Sequence, residues 1–269
     1  MTEQQNCACL SVVIPAYNEE ATLATIVGKV INIPHLLETI IVDDCSSDRT
    51  SEIGQSLSEQ YAQVRYTRHD KNKGKTESLK TGFALTKGAI VIVQDADLEY
   101  DPAEIGAVIR PILDGHADVV YGSRFLVRKA SRVLYFYHYL ANKSLTFLSN
   151  LLTNLNMTDV ETGYKAFRGD IIRNMTIVAT GFGFEIEVTA KIAKLKCAVY
   201  ETPISYYGRT YEQGKKIGFL DGLFALWFIV RFNLFCRLDS SFRNPVQLAQ
   251  SVAGRAIQSN NHPLITEGT

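Results

Sequence analysis

The chain has 269 residues, 46% of them hydrophobic, with 28 basic and 28 acidic side chains and zero formal net charge. That length and apolar content bury a sizeable core in one large domain, and the neutral balance excludes a general nucleic-acid binder, so any anionic partner must meet a local basic cluster. The five cysteines lack paired CxxC spacing, which excludes a zinc framework and fits reduced thiols, and the polar start from Met1 to Asn6 has no secretory pattern.

Leu10 to Ile14 is an apolar, β-branched run that predicts a buried strand stopping at Pro15, and Leu23, Ile26, Val27 and Val30 predict a helix over 19–31. Thr39 to Val42 predicts a second strand, ending in Asp43-Asp44-Cys45-Ser46-Ser47-Asp48 before a helix to about Tyr61. Asp44 is placed to accept hydrogen bonds from a ribose or a base, whereas Ser47 or Asp48 could simply cap the helix. Val64 to Thr67 predicts a third strand, followed by the basic loop His69 to Lys75. Gly74-Lys75-Thr76 imitates a phosphate loop, but the pattern needs a glycine where His69 stands, and GxGxxG is also missing.

Ile90 to Val93 predicts a fourth strand that runs into Gln94-Asp95-Ala96-Asp97-Leu98-Glu99-Tyr100-Asp101-Pro102. Carboxylates at the carboxyl end of a strand lie where open α/β sheets bind ligands, and their hard oxygens suit Mg²⁺ or Mn²⁺ with a phosphorylated substrate. Alternatively they only cap the helix expected over 103–113. Asp118 to Tyr121 predicts a fifth strand and delivers Arg124 to the same edge. Strand and helix alternate to this point, which implies an α/β fold with a doubly wound, mainly parallel sheet.

From Phe125 to Asn156, basic residues (Arg124, Arg128, Lys129, Arg132) feed an aromatic-rich amphipathic segment, as a lipid phosphate or a membrane surface would require, or as a core helix pair beside a solvated loop would produce. Asp159 to Arg168 predicts a turn and an alternating strand, Gly181 to about Lys194 a helix whose Glu185 or Glu187 could face a site, and 198–203 and 204–207 strand-like segments. Ile217 to Leu238 is the most hydrophobic stretch, with Asp221, Arg231 and Asn233 interrupting it, and suits a helix lying in a membrane interface or one buried in the protein. Residues 239–269 are polar and are expected to form a mobile tail behind a domain spanning 1–238.

The motifs Val13-Ile14-Pro15-Ala16-Tyr17-Asn18-Glu19-Glu20, Val42-Asp43-Asp44-Cys45-Ser46-Ser47-Asp48-Arg49-Thr50, Gln94-Asp95-Ala96-Asp97-Leu98-Glu99 and Gly122-Ser123-Arg124-Phe125 resemble those of the family 2 glycosyltransferases of the GT-A fold. Thr162 to Phe167 and the loop Arg209 to Lys216 extend the resemblance toward the polyprenyl-phosphate branch that includes dolichyl-phosphate mannose synthase. The resemblance implies a GT-A-type, Rossmann-like sheet with amphipathic helices toward the C-terminus, and a metal-dependent inverting enzyme. It implies that Pro15, Tyr17, Glu19 and Asp44 hold the nucleoside of a GDP-mannose or UDP-glucose type donor, with Asp95 and Ala96 beside the nucleotide. Asp97 and Glu99 would bind Mg²⁺ or Mn²⁺, and Arg209 and Lys215 or Lys216 would close over the diphosphate. Asp97, Arg124 and Arg132 would carry the chemistry, the two arginines clamping a polyprenyl phosphate acceptor by guanidinium forks. Glu99 stands where the family often has Gln, and Cys45 where glycine is common. The expected location is peripheral, on the cytoplasmic face of a membrane. Two other readings remain: a glycan or protein hydroxyl acceptor, with Asp159, Glu161 or Glu185 as base, and a silent binding module at a membrane surface.

Overall fold

The computed structural model describes residues 7–126, 135–181, 183–208 and 219–260. Among them, seven strands form one sheet in the order β3-β2-β1-β4-β6-β5-β7. The strands are β1 (Leu10–Ala16), β2 (Leu36–Asp43), β3 (Val64–Arg68), β4 (Ile90–Val93), β5 (Val119–Ser123), β6 (Lys165–Arg168) and β7 (Val199–Pro203). All neighbours are parallel except β6, which runs antiparallel to both β4 and β5. The expected α/β class and mainly parallel, doubly wound sheet are therefore what the chain forms.

Alternation along each strand sends side chains to two layers. Val12, Ile14 and Ile92 pack on one face against Ile26, Val27 and Val30 of α1 (Leu23–Val30) and Val108, Ile109 and Ile112 of α4 (Ile105–Leu113), beside α2 (Thr50–Gln60). Val13, Val91 and Val93 face the other way, onto Leu79 and Phe83 of α3 (Lys75–Leu85), Ile171 of α6 (Gly169–Asn174) and Phe184, Val188 and Ile192 of α7 (Phe184–Leu195). α5 (Phe136–Thr153) and α8 (Phe219–Val230) pack together against α7.

Four expectations change. β1 runs through Pro15 to Ala16, because β4 has ended at Val93, opposite Val13, so the missing proline N–H costs no ladder bond on that side. α1 starts at Leu23, since the backbone N–H groups of Glu19 and Glu20 donate to Thr50 Oγ1 and Asp48 of the neighbouring loop. Residues 204–207 join no strand: Ser205 N–H donates to Glu104 and Tyr207 N–H to the Glu99 carbonyl. The hydrophobic stretch to Leu238 is not one helix, because α8 passes into a widened π turn (Arg231–Phe235) in which the Asn233 side chain donates to the Ile229 carbonyl.

Beyond residue 238 the expected mobile tail is folded through residue 260. α9 (Leu238–Ser241) and α10 (Pro245–Asn260) bury Phe242, Leu248 and Val252 against the second layer, and Arg255 pairs with Asp118 at 2.8 Å and Asp170 at 3.1 Å. Within the polar tail, Leu248, Ala249 and Val252 recur at helical spacing and turn one face of α10 onto that layer.

α3 lies on β1 so closely that a Cβ at Gly82 would stand 2.3 Å from Val13 Cγ1. Gly82→Ala should destabilise the fold by about 1–3 kcal/mol through overpacking, measured by chemical denaturation monitored by circular dichroism.

Candidate active site at the carboxyl edge of the sheet

Strands β1, β2, β4 and β5 end on one edge, and their loops carry most of the polar residues singled out above. The Asp95 to Tyr100 turn is tied from beneath by Gln94, fully buried, whose side-chain amide donates to the carbonyls of Asp95 and Tyr100 and accepts from Tyr164 OH. Leu98 takes a left-handed backbone (φ 62°), which lets the chain reverse between Asp97 and Glu99. Asp101, not its predecessors, caps the next helical turn by accepting from Ala103 N–H at 3.2 Å. The helix-cap alternative thus applies to Asp101 and leaves Asp95, Asp97 and Glu99 on the site edge.

Each of the three has a different setting. Asp95 is ion-paired to the Lys75 ammonium at 2.9 Å, and Lys75 also reaches Glu185 at 3.6 Å. Burial works against the Lys75 charge, but the two carboxylates outweigh it and hold the amine protonated well above its usual range. Asp97 accepts from Glu99 N–H at 3.1 Å, and Glu99 Oε2 accepts from Tyr206 OH at 3.0 Å. Asp97 and Glu99 offer hard carboxylate oxygens at half-buried positions, a donor set that fits Mg²⁺ or Mn²⁺ if substrate phosphates and water complete the shell. Ala96, between Asp95 and Asp97 in the chain, is buried.

At the first two strand ends, Tyr17 is exposed while Pro15 and Glu19 are half-buried. Asn18, at φ 55°, caps no helix; its side-chain oxygen accepts from Ser47 N–H and its own N–H donates to Ser46 Oγ, stitching the two loops together. Asp44 is more committed than a free nucleoside acceptor would be. Its carboxylate accepts from the His69 ring at 2.7 Å, Lys73 N–H at 2.9 Å and Gly74 N–H at 2.6 Å, so it fastens the 69–74 loop. That is also where the Gly74 amide goes, and why the Gly-Lys-Thr triplet is no phosphate loop.

Arg124 at the end of β5 is not an open clamp. Its guanidinium binds Asp159 through Nε at 2.7 Å and Nη2 at 2.8 Å, and its backbone N–H adds a third bond. Burial opposes the Asp159 charge, yet Arg124 outweighs it and keeps the carboxyl below its ordinary range, committed to the ion pair. Arg124 also stacks over Tyr206, 5.2 Å from the ring centroid, which ties it to the Glu99 side of the site. Glu187 is turned to structure: it accepts from Val178 N–H and Ala179 N–H and pairs with Lys191 at 2.5 Å. Arg132, Arg209, Lys215 and Lys216 lie outside the described residues.

Lys75, Lys165, Tyr206 and Gln94 are site residues that the sequence reading assigned no role. Lys165 is fully buried, donates to the carbonyls of Val160 and Thr162, and is pushed down to about 8 by burial against the pull of nearby carboxylates. Glu161 stands between those two carbonyls in sequence. Its Oε1 is enclosed and has no hydrogen-bond partner among the described residues, and burial together with the charge of Glu185 raises its carboxyl to about 7.

A model of glycosyl transferase family 2 matches residues 11–176, the span that holds strands β1 to β6 and these carboxylates. The chain belongs to that family. Among its family 2 relatives is the dolichol-phosphate mannosyltransferase of Pyrococcus furiosus, 30% identical over 213 residues, 78% of this chain and 59% of that protein. The polyprenol monophosphomannose synthase of Mycolicibacterium smegmatis is 28% identical over 77% of this chain and 80% of its own length. The undecaprenyl-phosphate mannosyltransferase of Micrococcus luteus is 27% identical over 78% and 88%. The chain thus spans 59% of the Pyrococcus protein's length and most of the other two. Among solved structures, glucosyl-3-phosphoglycerate synthase from Mycobacterium tuberculosis superposes with a TM-score of 0.65 at 18% identity, covering 84% of this chain and 81% of that one, which shows the shared GT-A sheet.

The Glu161 setting has a pH signature. Below about pH 4.5 the carboxyl is protonated folded or unfolded; above it the unfolded chain ionises while the folded chain keeps its proton until about 7. Stability is therefore lost as pH rises through that window, and Glu161→Gln should gain thermal stability over the native chain at pH 7.5 relative to pH 4.5. Roughly 2–4 °C per kcal/mol relieved is the expected scale in differential scanning calorimetry.

Proposed function

We propose that this family 2 enzyme moves a sugar from a nucleotide-sugar donor of the GDP-mannose or UDP-glucose type to a polyprenyl phosphate, with inversion at the anomeric carbon. The observation that carries it is the edge itself: Asp97 and Glu99 beyond β4 stand opposite the Arg124–Asp159 pair beyond β5, joined by Tyr206. The three mannosyltransferase relatives support the acceptor class, and the tuberculosis synthase, solved with Mn²⁺ and UDP, supports a nucleotide and a divalent metal.

Asp97 and Glu99 would hold Mg²⁺ or Mn²⁺, which when bound supplies Lewis-acid neutralisation of the leaving diphosphate. Pro15, Tyr17 and Glu19 line the nucleoside end, with Asp44 fixing the loop that walls it, and Arg209 and Lys215 extend the reading to the diphosphate. An acceptor phosphate oxygen attacks the anomeric carbon as the bond to the diphosphate oxygen breaks and its electron pair leaves with the nucleoside diphosphate. A phosphate is already an anion at neutral pH, so no base is needed. This agrees with Asp159 being committed to Arg124. With its remaining N–H groups Arg124, together with Arg132, would orient the acceptor.

α5 and α8 support a membrane location. Among the described residues no helix is long and apolar enough to cross a membrane, yet α5 exposes Phe136, Tyr137, Leu140, Phe147 and Leu151, and α8 exposes Leu223, Phe224 and Trp227. Two packed helices with bare aromatic faces suit peripheral attachment at the cytoplasmic surface, where a polyprenyl chain would lie.

Asp97→Ala should lose Mn²⁺-dependent donor binding by tenfold or more in calorimetric titration; unchanged affinity would sink the metal assignment. Transfer itself is tested with Mn²⁺, a panel of GDP- and UDP-sugars, and polyprenyl phosphate present or withheld: radiolabel in the lipid fraction is expected from one donor, and none from any donor refutes the acceptor. Trp227 is the chain's single tryptophan, half-exposed on α8, so its fluorescence should shift to the blue on adding phosphatidylglycerol vesicles. An unmoved emission maximum would argue that this face stays in water.

A further inference from the structure

The loop 159–164 joins the two halves of the site. At one end Asp159 holds Arg124; at the other, Gly163 lies so close to Asp95 that a Cβ there would stand 2.7 Å from its Oδ2. The loop is rigid for a stated reason: Lys165 binds the carbonyls on both sides of residue 161, Val160 N–H donates to Thr146, and Gly163 N–H donates to Tyr100. Glu161 is thus carried on a pinned backbone, two residues after Asp159, which holds Arg124, and two before Gly163, which abuts Asp95.

Every neighbouring carboxylate is spoken for. Asp95 and Glu185 share Lys75, Asp159 has Arg124, and Glu201 accepts from the backbone and hydroxyl of Thr158. Glu161 alone among these has an enclosed oxygen with nothing donating to it. Leaving a buried acceptor unmade costs about 1–3 kcal/mol, so the position calls for a donor that the described residues do not supply. Glu185 already opposes ionisation of Glu161, and a phosphate or a nucleoside diphosphate would add to that negative charge, whereas a neutral hydroxyl would not. The part of a nucleotide-sugar that lies between diphosphate and acceptor is the hexose, whose hydroxyls are neutral donors.

We propose that Glu161 accepts a hydrogen bond from one hydroxyl of the transferred sugar and so helps to select which sugar is moved. The inference rests on the nucleotide-sugar reading above and names a selectivity contact within it. A hydroxyl donating to Glu161 completes the buried oxygen and discriminates against a donor that lacks that hydroxyl or carries it on the opposite face.

The test uses the full-length native protein and Glu161→Gln and Glu161→Leu variants, with Mn²⁺, the donor sugar the native protein transfers, its free nucleoside diphosphate, and monodeoxy analogues of the donor. The variants are expected to melt no lower than the native chain at pH 7.5 and to bind the nucleoside diphosphate with native affinity. Their kcat/KM for the parent donor should fall about 10- to 100-fold, the scale of a charged hydrogen bond. One deoxy analogue should cost the native enzyme a similar factor and cost Glu161→Leu nothing further. The same deoxy penalties in native and variant proteins would overturn the proposal. So would a uniform collapse of kcat with every donor at unchanged KM, which would make Glu161 a base instead. If the native protein binds no nucleoside diphosphate, the nucleotide-sugar reading fails, and this inference falls with it before any variant is made.

Discussion

Carboxylates gathered on one sheet edge repel one another, and the Lys75 ammonium is what lets two of them stay within reach of a third element. It stands between Asp95 on the β4 turn and Glu185 at the start of α7, at 2.9 and 3.6 Å. A buried cation with two acidic partners is held charged, whereas losing it would leave uncompensated anions in a low-dielectric site. Lys75 is delivered there by the 69–74 loop, and that loop is fixed by Asp44. The order of dependence therefore runs from β2 through its loop to the β4 carboxylates, so residues far apart in the chain act on one charge balance.

Much of this fold was legible in the residues. Parallel strands covered on both faces read as apolar runs, which is why β1, β2, β4 and β5 could be placed from Leu10, Thr39, Ile90 and Asp118 onward, while the edge strand β3 was legible from Val64 only by its β-favouring residues. The insertion of β6 between β4 and β5, antiparallel to both, could not be read, because strand order is set by pairing between distant segments. The position of Asp95, Asp97 and Glu99 was likewise visible from a strand followed by acids. What Asp44 does was not, since its three donors lie on a loop 25 to 30 residues away. Glu185 and Glu187 look equivalent in sequence, two residues apart, yet one meets Lys75 and the other seals the 178–179 backbone. Helix phase separates them, and sequence fixes phase poorly where both faces of a helix are buried.

The apolar face of α5 and α8 reverses the usual economy of a surface. Leu145, Ile186, Ala225 and Ile229 form a small core beneath it, so the helices are anchored without using their outer aromatic residues. Those outer residues stay exposed and burden solubility, which agrees with the membrane contact proposed for this face. The family 2 sheet supplies the edge that carries Asp95, Asp97 and Glu99, and this helical layer packs on α7, whose start carries Glu185.

α10 reaches the sheet at the end opposite the site. Arg255 binds Asp118, at the entry to β5, and Asp170, at the start of α6, while the segment that carries Arg124 leaves β5 after Ser123. The clasp and the catalytic edge thus occupy opposite poles of one strand. Changes in the C-terminal helix can tune how long the molecule survives while leaving what it binds untouched, giving this enzyme a region where durability and specificity vary independently.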